Sequence, residues 1–361
     1  MQLDPAQLRD AFGDDPGEVT VAAIDPDLRF HSVTGGVYRV HAEDGSSLVL
    51  KIVRHGHDED PGALWVSGAE PDHRNYWKRE WLAYDSRLLE RLPGQLRAPR
   101  TRLTTEPSPD EAWIWMEDVE GRGGATWPTG DYDSAAFDLG TTQGSYAAGG
   151  DPLPSYDWLS RDWLRGWVDA LSRHVPLLDD DAAWTGENAV FATLRERFAD
   201  MWAARETLLA IVESAPSCVV HCDFWPTNLI AADDGTTVAV DWSQVGIGAV
   251  GHDLDQLTLD PVWMQVLPDG DLDALESHVL AAYLAGLRTS GFDCDAEDLR
   301  RWYAAAAACH YAPILAMYVD SLRDPERLAA LEARHGRPIE AINADKARVV
   351  DRALTLGESL L

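Results

Sequence analysis

Lysine is scarce in this chain of 361 residues, which contains only Lys51, Lys78 and Lys346. Its four cysteines form no CxxC pair, so a zinc site is not expected and a reducing cytoplasm is the simplest setting. No apolar run is long enough to span a bilayer, and the opening stretch MQLDPAQLRDAFGDDPGE is polar and acidic, unlike a secretory signal. We therefore expect a cytoplasmic protein without a membrane partner.

Positively charged residues are also few compared with acidic residues. The chain has 61 acidic residues against 30 Lys and Arg, a formal net charge of −31, and such a surface repels nucleic acid and anionic membranes. It favours a cationic small molecule as substrate. The alternative is an acidic composition shared by the whole proteome, and the sequence leaves both interpretations open. Hydrophobic residues at 45% exclude a disordered chain, and the length is sufficient for two lobes.

Residues 219–243, VVHCDFWPTNLIAADDGTTVAVDWS, carry the most informative pattern. Asn228 follows Asp223 by five positions, and Asp241 comes thirteen positions later, after a turn and a second apolar strand. This order suits the catalytic loop of a phosphoryl-transfer enzyme, as in protein kinases. Asp223 would receive the proton of an acceptor hydroxyl, while Asn228 and Asp241 supply the oxygen ligands that Mg²⁺ prefers. Asp223 is therefore the candidate catalytic base.

The residues around this pattern predict how it is held. His221 is expected to orient the loop through hydrogen bonds and not to act as a base. Residues 218–220 predict a short strand, Pro226 is expected to keep the loop from becoming a helix, and Asp233-Asp234-Gly235 predicts a hairpin turn. The alternative is an ordinary hairpin with common turn residues. HxD alone is weak, but HxDxxxxN followed by a hairpin and AVDWS favours the functional interpretation.

Lys51 lies in an apolar, strand-like run at 47–53, where burying an ammonium group is costly without an anionic partner. Upstream, Thr34-Gly35-Gly36 separates two strand-like runs, and such a loop lets backbone N–H groups approach phosphate. We expect Lys51 to meet the phosphates of a nucleotide there. The alternatives are a lysine at a sheet edge that reaches water and an ordinary glycine hairpin.

The partner of Lys51 is expected on the next helix. Residues 76–92 show helical periodicity, with Trp77, Trp81, Tyr84, Leu88 and Leu92 on one side. Glu80 lies beside that stripe and is the candidate partner, whereas Glu90 or a solvated glutamate are the alternatives.

A strand at 112–117 then leads into a linker where a kinase would bind adenine through backbone groups. Glu117 and Val119 are the candidates for those contacts. On the acceptor side, Trp225 is close to Asp223 and is a candidate to stack on a sugar or to cap a cation. The alternative for Trp225 is packing under the loop. Asp253 is expected to act as a cap or loop anchor, and the aromatic residues of a late helix, with His310, are expected in the core.

Six segments together resemble the aminoglycoside phosphotransferase and choline kinase family: TGGVYRV, LVLKIV, KREWLAY, WIWMEDVEG, VVHCDFWPTNLI and AVDWSQVGIGAVGHDL. The resemblance implies a protein-kinase-like fold, with Asp223 as the base, Asn228 and Asp241 as metal ligands and Lys51 as the phosphate lysine. Cys222 departs from the family, which usually has Gly between the His and the Asp. Trp242-Ser243 after Asp241 is usual for the family and unlike protein kinases, which argues against a protein substrate.

The expected fold class is therefore α+β and bilobal. A small, mainly β N-terminal lobe at 1–119 would bind the nucleotide, and a larger, mainly helical lobe at 120–361 would hold the catalytic loop and the acceptor. The N-terminal lobe is expected to open with a short helix, and residues 55–72 form an acidic excursion in it. Helices of the second lobe are predicted at 132–146, 157–172, 188–214, 271–287, 295–320 and 338–360.

The expected function is transfer of a phosphoryl group from ATP or GTP, with Mg²⁺, to a hydroxyl group of a small molecule. A cationic antibiotic or an amino sugar is the favoured acceptor, in antibiotic resistance or natural-product metabolism. A kinase for a neutral sugar or nucleoside and a nucleotide-binding pseudokinase without turnover are the alternatives. The presence of the base, the lysine and both metal ligands favours an enzyme.

Overall fold

The N-terminal part of the chain is a five-stranded sheet in the order β1-β2-β3-β5-β4, in which every neighbouring pair is antiparallel. The structure, a computed structural model, describes residues 3–25, 33–56 and 66–361. The elements of this part are α1 (Pro5–Phe12), β1 (Thr20–Asp25), β2 (Thr34–His41), β3 (Ser47–Arg54), α2 (Arg79–Asp85), β4 (Thr101–Ser108) and β5 (Glu111–Glu117).

The alternation of side chains along β3 decides where Lys51 points. Leu48, Leu50 and Ile52 belong to a small apolar cluster that also includes Leu8 of α1. Successive residues of a strand face opposite sides of a sheet, so Lys51 faces away from α1, towards the side covered by α2. In the central strand, Lys51 is paired in register with Val37 of β2 and Ile114 of β5. The lysine is therefore buried, and the alternative of an edge lysine in water is wrong.

The second part of the chain is mainly helical, with two small sheets of three strands each, β10-β9-β6 and β7-β11-β8. Its strands are β6 (Gly121–Gly123), β7 (Ser160–Arg161), β8 (Ser217–Val220), β9 (Leu229–Ala232), β10 (Thr237–Ala239) and β11 (Gly246–Ala249). Its helices are α3 (Thr129–Ala147), α4 (Trp163–Leu171), α5 (Arg195–Ala203), α6 (Arg205–Glu213), α7 (Leu254–Thr258), α8 (Asp260–Trp263), α9 (Leu272–Thr289), α10 (Ala296–Ser321), α11 (Pro325–His335) and α12 (Ile339–Glu358). This architecture confirms the predicted α+β bilobal fold; the division of the lobes after Val119 stays a prediction.

Helices α3 and α9 pack with their backbones in close contact. A Cβ atom at Gly140 of α3 would lie 2.4 Å from the carbonyl oxygen of Tyr283, and one at Gly286 of α9 would lie 2.3 Å from that of Phe137. The two glycines therefore allow the backbones of α3 and α9 to touch. The middle of α10, from 303 to 316, is buried on all sides, as expected for a helix at the centre of a domain.

Several predicted elements differ from the structure. The helix expected at 76–92 is an α-helix only over Arg79–Asp85, because Arg87 takes a left-handed backbone conformation with φ 58° and the chain continues as a 3₁₀ turn at Leu89–Arg91. The helix expected at 188–214 divides into a 3₁₀ segment, α5 and α6. Pro226 begins a 3₁₀ turn instead of excluding helical structure. The strand expected before Gly35 lies mostly outside the described residues, as does much of 55–72.

Candidate active site

The loop that carries Asp223 is fixed by two side chains from the start of α7. The carboxylate of Asp253 accepts the backbone N–H groups of His221, at 3.0 Å, and Cys222, at 2.9 Å. Gln256 accepts the N–H of Phe224 at 2.6 Å and donates to the carbonyl of Cys222 at 2.9 Å. Asp253 is thus the loop anchor that the sequence predicted. The matching role of Gln256 was missed, because nothing in its local pattern links it to a loop 32 residues away.

His221 holds the loop against the strand that follows it. Its Nε2 lies 3.0 Å from the carbonyl oxygen of Val240, so this nitrogen donates, and its Nδ1 accepts the N–H of Asp223 at 3.2 Å. Burial lowers the pKa of this imidazole, which keeps it neutral. With both ring nitrogens engaged, His221 orients the loop and is not available as a base.

Asp223 and Asn228 are brought together by the 3₁₀ turn at Pro226–Asn228. Asn228 Nδ2 donates to the Asp223 carboxylate at 2.7 Å and to its carbonyl oxygen at 3.0 Å. The amide oxygen of Asn228 is left without a hydrogen-bond partner among the described residues. Burial raises the pKa of Asp223 to about 8, and the carboxylates of Asp241 and Asp260 add to the shift.

Lys51 lies between two carboxylates. Its Nζ is 2.6 Å from Glu80 Oε2 and 2.9 Å from Asp241 Oδ1. Burial alone would lower the pKa of Lys51, but Asp241 and Glu80 outweigh it and raise the pKa. Burial also raises the pKa of the enclosed Glu80 to about 7, whereas at Asp241 the Lys51 ammonium outweighs burial and lowers the pKa. Asp241 therefore stays ionised, and the structure pairs Lys51 with Glu80 and not with Glu90.

Asp241 itself is in a strained conformation. Its φ of 60° is left-handed, a region that costs a non-glycine residue of order 1 kcal/mol or more. Cys222 has a similar φ of 63°, at the position where Gly is usual in the family the sequence resembles. Both residues border the cavity next to the catalytic loop, and strain of this kind persists only where neighbouring contacts hold it in place.

The other candidates for nucleotide binding lie at the start of β2 and at the end of β5 and in the linker that follows it. Thr34 lines the cavity, whereas Gly35 and Gly36 follow it within β2 and do not line it. A Cβ atom at Gly36 would lie 2.4 Å from the outer end of the Tyr38 ring, which is half-buried. The loop that was expected between two strands is therefore part of a strand.

At the end of β5, the backbone N–H group of Glu117 already has a hydrogen-bond partner within the chain. Glu117 N–H donates to the carbonyl of Arg100 at 2.9 Å, and its carboxylate accepts from Arg97 at 2.9 Å. That N–H group is therefore not free to bind an adenine edge. The N–H of Val119 makes no hydrogen bond to any described residue.

A cavity of about 300 Å³ lies between the catalytic loop and the late helices. Asp223, Asn228 and Asp241 border one side of it. Most of the remaining lining is aromatic and apolar with one further carboxylate, and this aromatic side includes Trp163, Trp167, Trp225, Asp260, Trp263, Met264, His310 and Ile314. Trp225 thus lines the cavity instead of packing under the loop.

Asp260 and His310 are the polar groups of that aromatic side. One oxygen of Asp260 accepts the hydroxyl of Tyr311 at 2.6 Å, and burial raises the pKa of this carboxyl to about 6. His310 Nδ1 lies 3.0 Å from the buried carboxylate of Asp255. Burial opposes protonation of His310, but Asp255 outweighs it and raises the pKa. Nothing in the local sequence pattern marked Asp260. His310 is buried, as predicted, and it also lines the cavity, which its place in the apolar middle of α10 does not reveal.

Within residues 3–25, 33–56 and 66–361, no group of three or more His, Cys, Asp and Glu side chains is placed to share a metal ion. Over the same ranges, no helix is both long and apolar enough to cross a bilayer. A metal ion at this site would therefore rely on Asn228, Asp241 and oxygen atoms from outside the chain.

The sequence matches one protein-family model over most of its length. A model described as the phosphotransferase enzyme family matches residues 30–292, which contain every candidate residue above except His310, Tyr311 and Ile314. No curated protein matches the sequence significantly.

Solved structures extend the likeness to most of the chain. Spectinomycin phosphotransferase, in complex with ADP and spectinomycin, matches 98% of this chain and 100% of its own at 12% identity and a TM-score of 0.55. An amicoumacin kinase bound to AMP-PNP and Ca²⁺ matches 89% of this chain and 87% of its own at 14% identity, with a TM-score of 0.52. Choline kinase from Streptococcus pneumoniae matches 95% of this chain and 94% of its own at 14% identity, with a TM-score of 0.50. At these identities the likeness concerns the fold.

Proposed function

The chain belongs to the phosphotransferase enzyme family, and from this premise we propose that it transfers the terminal phosphoryl group of ATP or GTP to a hydroxyl group of a small molecule. One observation carries the proposal. A candidate base, Asp223, and two candidate metal ligands, Asn228 and Asp241, border a single cavity, and Asp241 contacts the buried Lys51. These are the parts that phosphoryl transfer requires.

The donor side is formed by Asn228, Asp241 and Lys51. The hydrogen bonds of Asn228 Nδ2 to Asp223 turn its amide oxygen away from that residue, and Asp241 is kept ionised by Lys51. One amide oxygen and one carboxylate fit Mg²⁺, which keeps most of its remaining ligands from water and substrate phosphates. When bound, the metal ion neutralises charge on the phosphates. The ammonium group of Lys51 would then interact with the phosphates as well as with Asp241. Glu80 would hold the Lys51 side chain in position.

The reaction is an in-line displacement. The acceptor oxygen forms a bond to the terminal phosphorus, the bond from phosphorus to the bridging oxygen breaks, and the nucleoside diphosphate leaves with that electron pair. The hydroxyl proton passes to the carboxylate of Asp223. Because Asp241 contributes to the raised pKa of Asp223, a cation bound at Asp241 would lower that pKa and favour the ionised base.

The acceptor side favours a compound with a cationic amine. Four tryptophan rings and Asp260 border it, and both ring faces and a carboxylate attract an ammonium group. Tyr311 donates to one oxygen of Asp260, and the other oxygen has no hydrogen-bond donor among the described residues, so it can accept from such a group. An amino sugar or a cationic antibiotic has this chemistry, together with the hydroxyl group that the reaction needs.

The test is a screen of hydroxyl compounds with Mg·ATP and Mg·GTP, read by nucleoside diphosphate release and by mass spectrometry of the product. It should pair each amine with its N-acetylated, neutral form, and include neutral sugars and nucleosides. We expect amines to be preferred, and Asp260→Asn to raise their KM by roughly tenfold, the loss of one charged hydrogen bond. Asp200→Asn, at an exposed position of α5, removes the same charge and is the control.

The alternatives predict other outcomes. Turnover of neutral sugars or nucleosides in preference to amines would retain the phosphotransferase and reject the cationic acceptor. Binding of nucleotide without phosphorylation of any compound would favour a pseudokinase.

A further inference from the structure

Arg79, the first residue of α2, is a fully buried guanidinium group without a carboxylate partner among the described residues. The residue is 1% exposed, and burial lowers its pKa to about 10, so that it still carries its charge near neutral pH. A buried charge is costly unless it is paired or well hydrogen-bonded. Arg79 therefore needs a compensating set of acceptors.

Four main-chain carbonyl groups supply that compensation. Nη2 donates to His73 at 2.8 Å, and Nη1 donates to Arg74 at 3.0 Å, both in the segment that precedes α2. Nε donates to Trp158 at 2.9 Å, ahead of α4 in the helical part of the chain. Nη1 also donates to Ser243 at 3.2 Å. The guanidinium group thus joins three separate segments through a rigid fork of donors.

The contact with Ser243 concerns the site directly. Ser243 lies two positions after Asp241, whose left-handed φ of 60° has to be held by its surroundings. Glu80, the neighbour of Arg79, is linked to the same segment through Lys51, which contacts both Glu80 and Asp241. Adjacent residues of α2 therefore hold the two ends of residues 241–243.

We propose that Arg79 is a positioning residue, which fixes residues 241–243 and α2 together so that Asp241 and Lys51 face the phosphates and metal ion of a bound nucleotide. The inference rests on the proposed function, because it concerns nucleotide binding. A purely structural role is the competing explanation: Arg79 would then stabilise the fold without affecting the affinity of folded protein for nucleotide.

The experiment measures the affinity for Mg·AMP-PNP by calorimetry, at a temperature where circular dichroism shows each variant to be folded. Arg79→Lys keeps the charge but has a compact ammonium group that cannot reach all three segments. We expect its Kd to rise by roughly tenfold or more, the size of one or two lost charge-assisted hydrogen bonds. Arg79→Ala should bind Mg·AMP-PNP more weakly still. Millimolar guanidinium should restore part of the affinity of this variant, whereas the same concentration of ammonium should not.

Arg197→Ala is the matched control. Arg197 also makes several hydrogen bonds, to Glu358 and Thr355 of α12, but none of its partners borders the cavity. Its loss should lower the melting temperature and leave the Kd unchanged. If Arg79→Ala does not fold, the Kd of Arg79→Lys for Mg·AMP-PNP alone tests the proposal.

Two outcomes separate this inference from the function on which it rests. If wild-type protein binds Mg·AMP-PNP and both folded Arg79 variants bind it within twofold of wild type, Arg79 is structural and the inference is overturned. If wild-type protein does not bind Mg·AMP-PNP at all, the proposed function fails and the inference fails with it.

Discussion

Replacing Lys51 by Met tests whether the buried triad of Lys51, Glu80 and Asp241 acts as a unit. Methionine keeps the length of the side chain but removes the ammonium group that lies 2.6 Å from Glu80 and 2.9 Å from Asp241. Loss of one partner from a buried ion pair costs about 3–5 kcal/mol, because the remaining charge is left unpaired. The Asp241 side chain is 24% exposed and can be partly hydrated, so we expect about 3 kcal/mol, the lower end of that range, at pH 8.

The cost should depend on pH with a defined sign. The pKa of Glu80 is about 7 with Lys51 present, raised by burial above its ordinary value of 4.5, and removal of Lys51 raises it further. A carboxyl group with a raised pKa binds a proton more readily in the folded state, so its contribution to stability is lost as pH rises through the folded pKa. The destabilisation by Lys51→Met should therefore be smaller at pH 5 than at pH 8.

The assay is urea denaturation at pH 5, 6, 7 and 8 of Lys51→Met, Glu80→Gln, the double variant and Lys78→Met. We expect the double variant to be less destabilised than the sum of the single variants by about 2 kcal/mol, within the range for residues in contact. Lys78 is the control, since its partner Glu106 is 41% exposed and its effect should stay within about 1 kcal/mol. Additive effects at every pH would refute the reasoning.

Three further predictions concern individual groups. Asp223→Asn should lower kcat by roughly 10² or more with little change in Mg·AMP-PNP affinity, measured by turnover of an identified acceptor and by calorimetry; an unchanged kcat would remove Asp223 from the mechanism. Asp241→Asn should weaken the Mg²⁺ dependence of nucleotide binding, seen by titration with and without EDTA, and wild-type activity in EDTA would contradict the metal assignment. Burial lowers the pKa of Lys346 to about 7, so between pH 7 and 10 the unfolded state binds more protons. The stability of wild type should therefore rise relative to Lys346→Met over that range, by at most about 1.4 kcal/mol per pH unit, and a constant difference would contradict the shift.

The features that could be predicted from the sequence are those fixed by neighbours in the chain. The turn at Asp233-Asp234-Gly235 does join β9 and β10, and a period of two along β3 does place Lys51 on the side covered by α2. Glu80 could be chosen because it lies beside a stripe of large apolar residues that must be buried. The family resemblance was confirmed by the match over 30–292. The roles proposed for the site residues stay predictions.

The features that could not be predicted depend on contacts between distant segments. Asp260 lies in a short helix, and only the arrival of Tyr311 from α10 gives its carboxylate a defined direction. Arg79 looks like any charged residue at the start of a helix, and its acceptors are carbonyl groups, which every residue has. The early end of α2 likewise follows from the left-handed Arg87, where no glycine marks a stop.

The net charge of −31 has two explanations, a cationic substrate or an acidic composition shared by the whole proteome. A carboxylate inside the cavity bears more directly on the choice of acceptor than the charge of the surface does. Charges on an exposed surface are screened over about 8 Å at physiological ionic strength, so they speed the arrival of any cation but select none. Asp260 is different, because it borders a cavity lined by tryptophan side chains, where a charge interacts more strongly with a partner than it does on the open surface. Its pKa of about 6 leaves it mostly ionised near pH 7.5 in spite of burial. A preference for an amine acceptor would therefore come from Asp260 and persist at high salt, even if the acidic surface reflects a composition shared by the whole proteome.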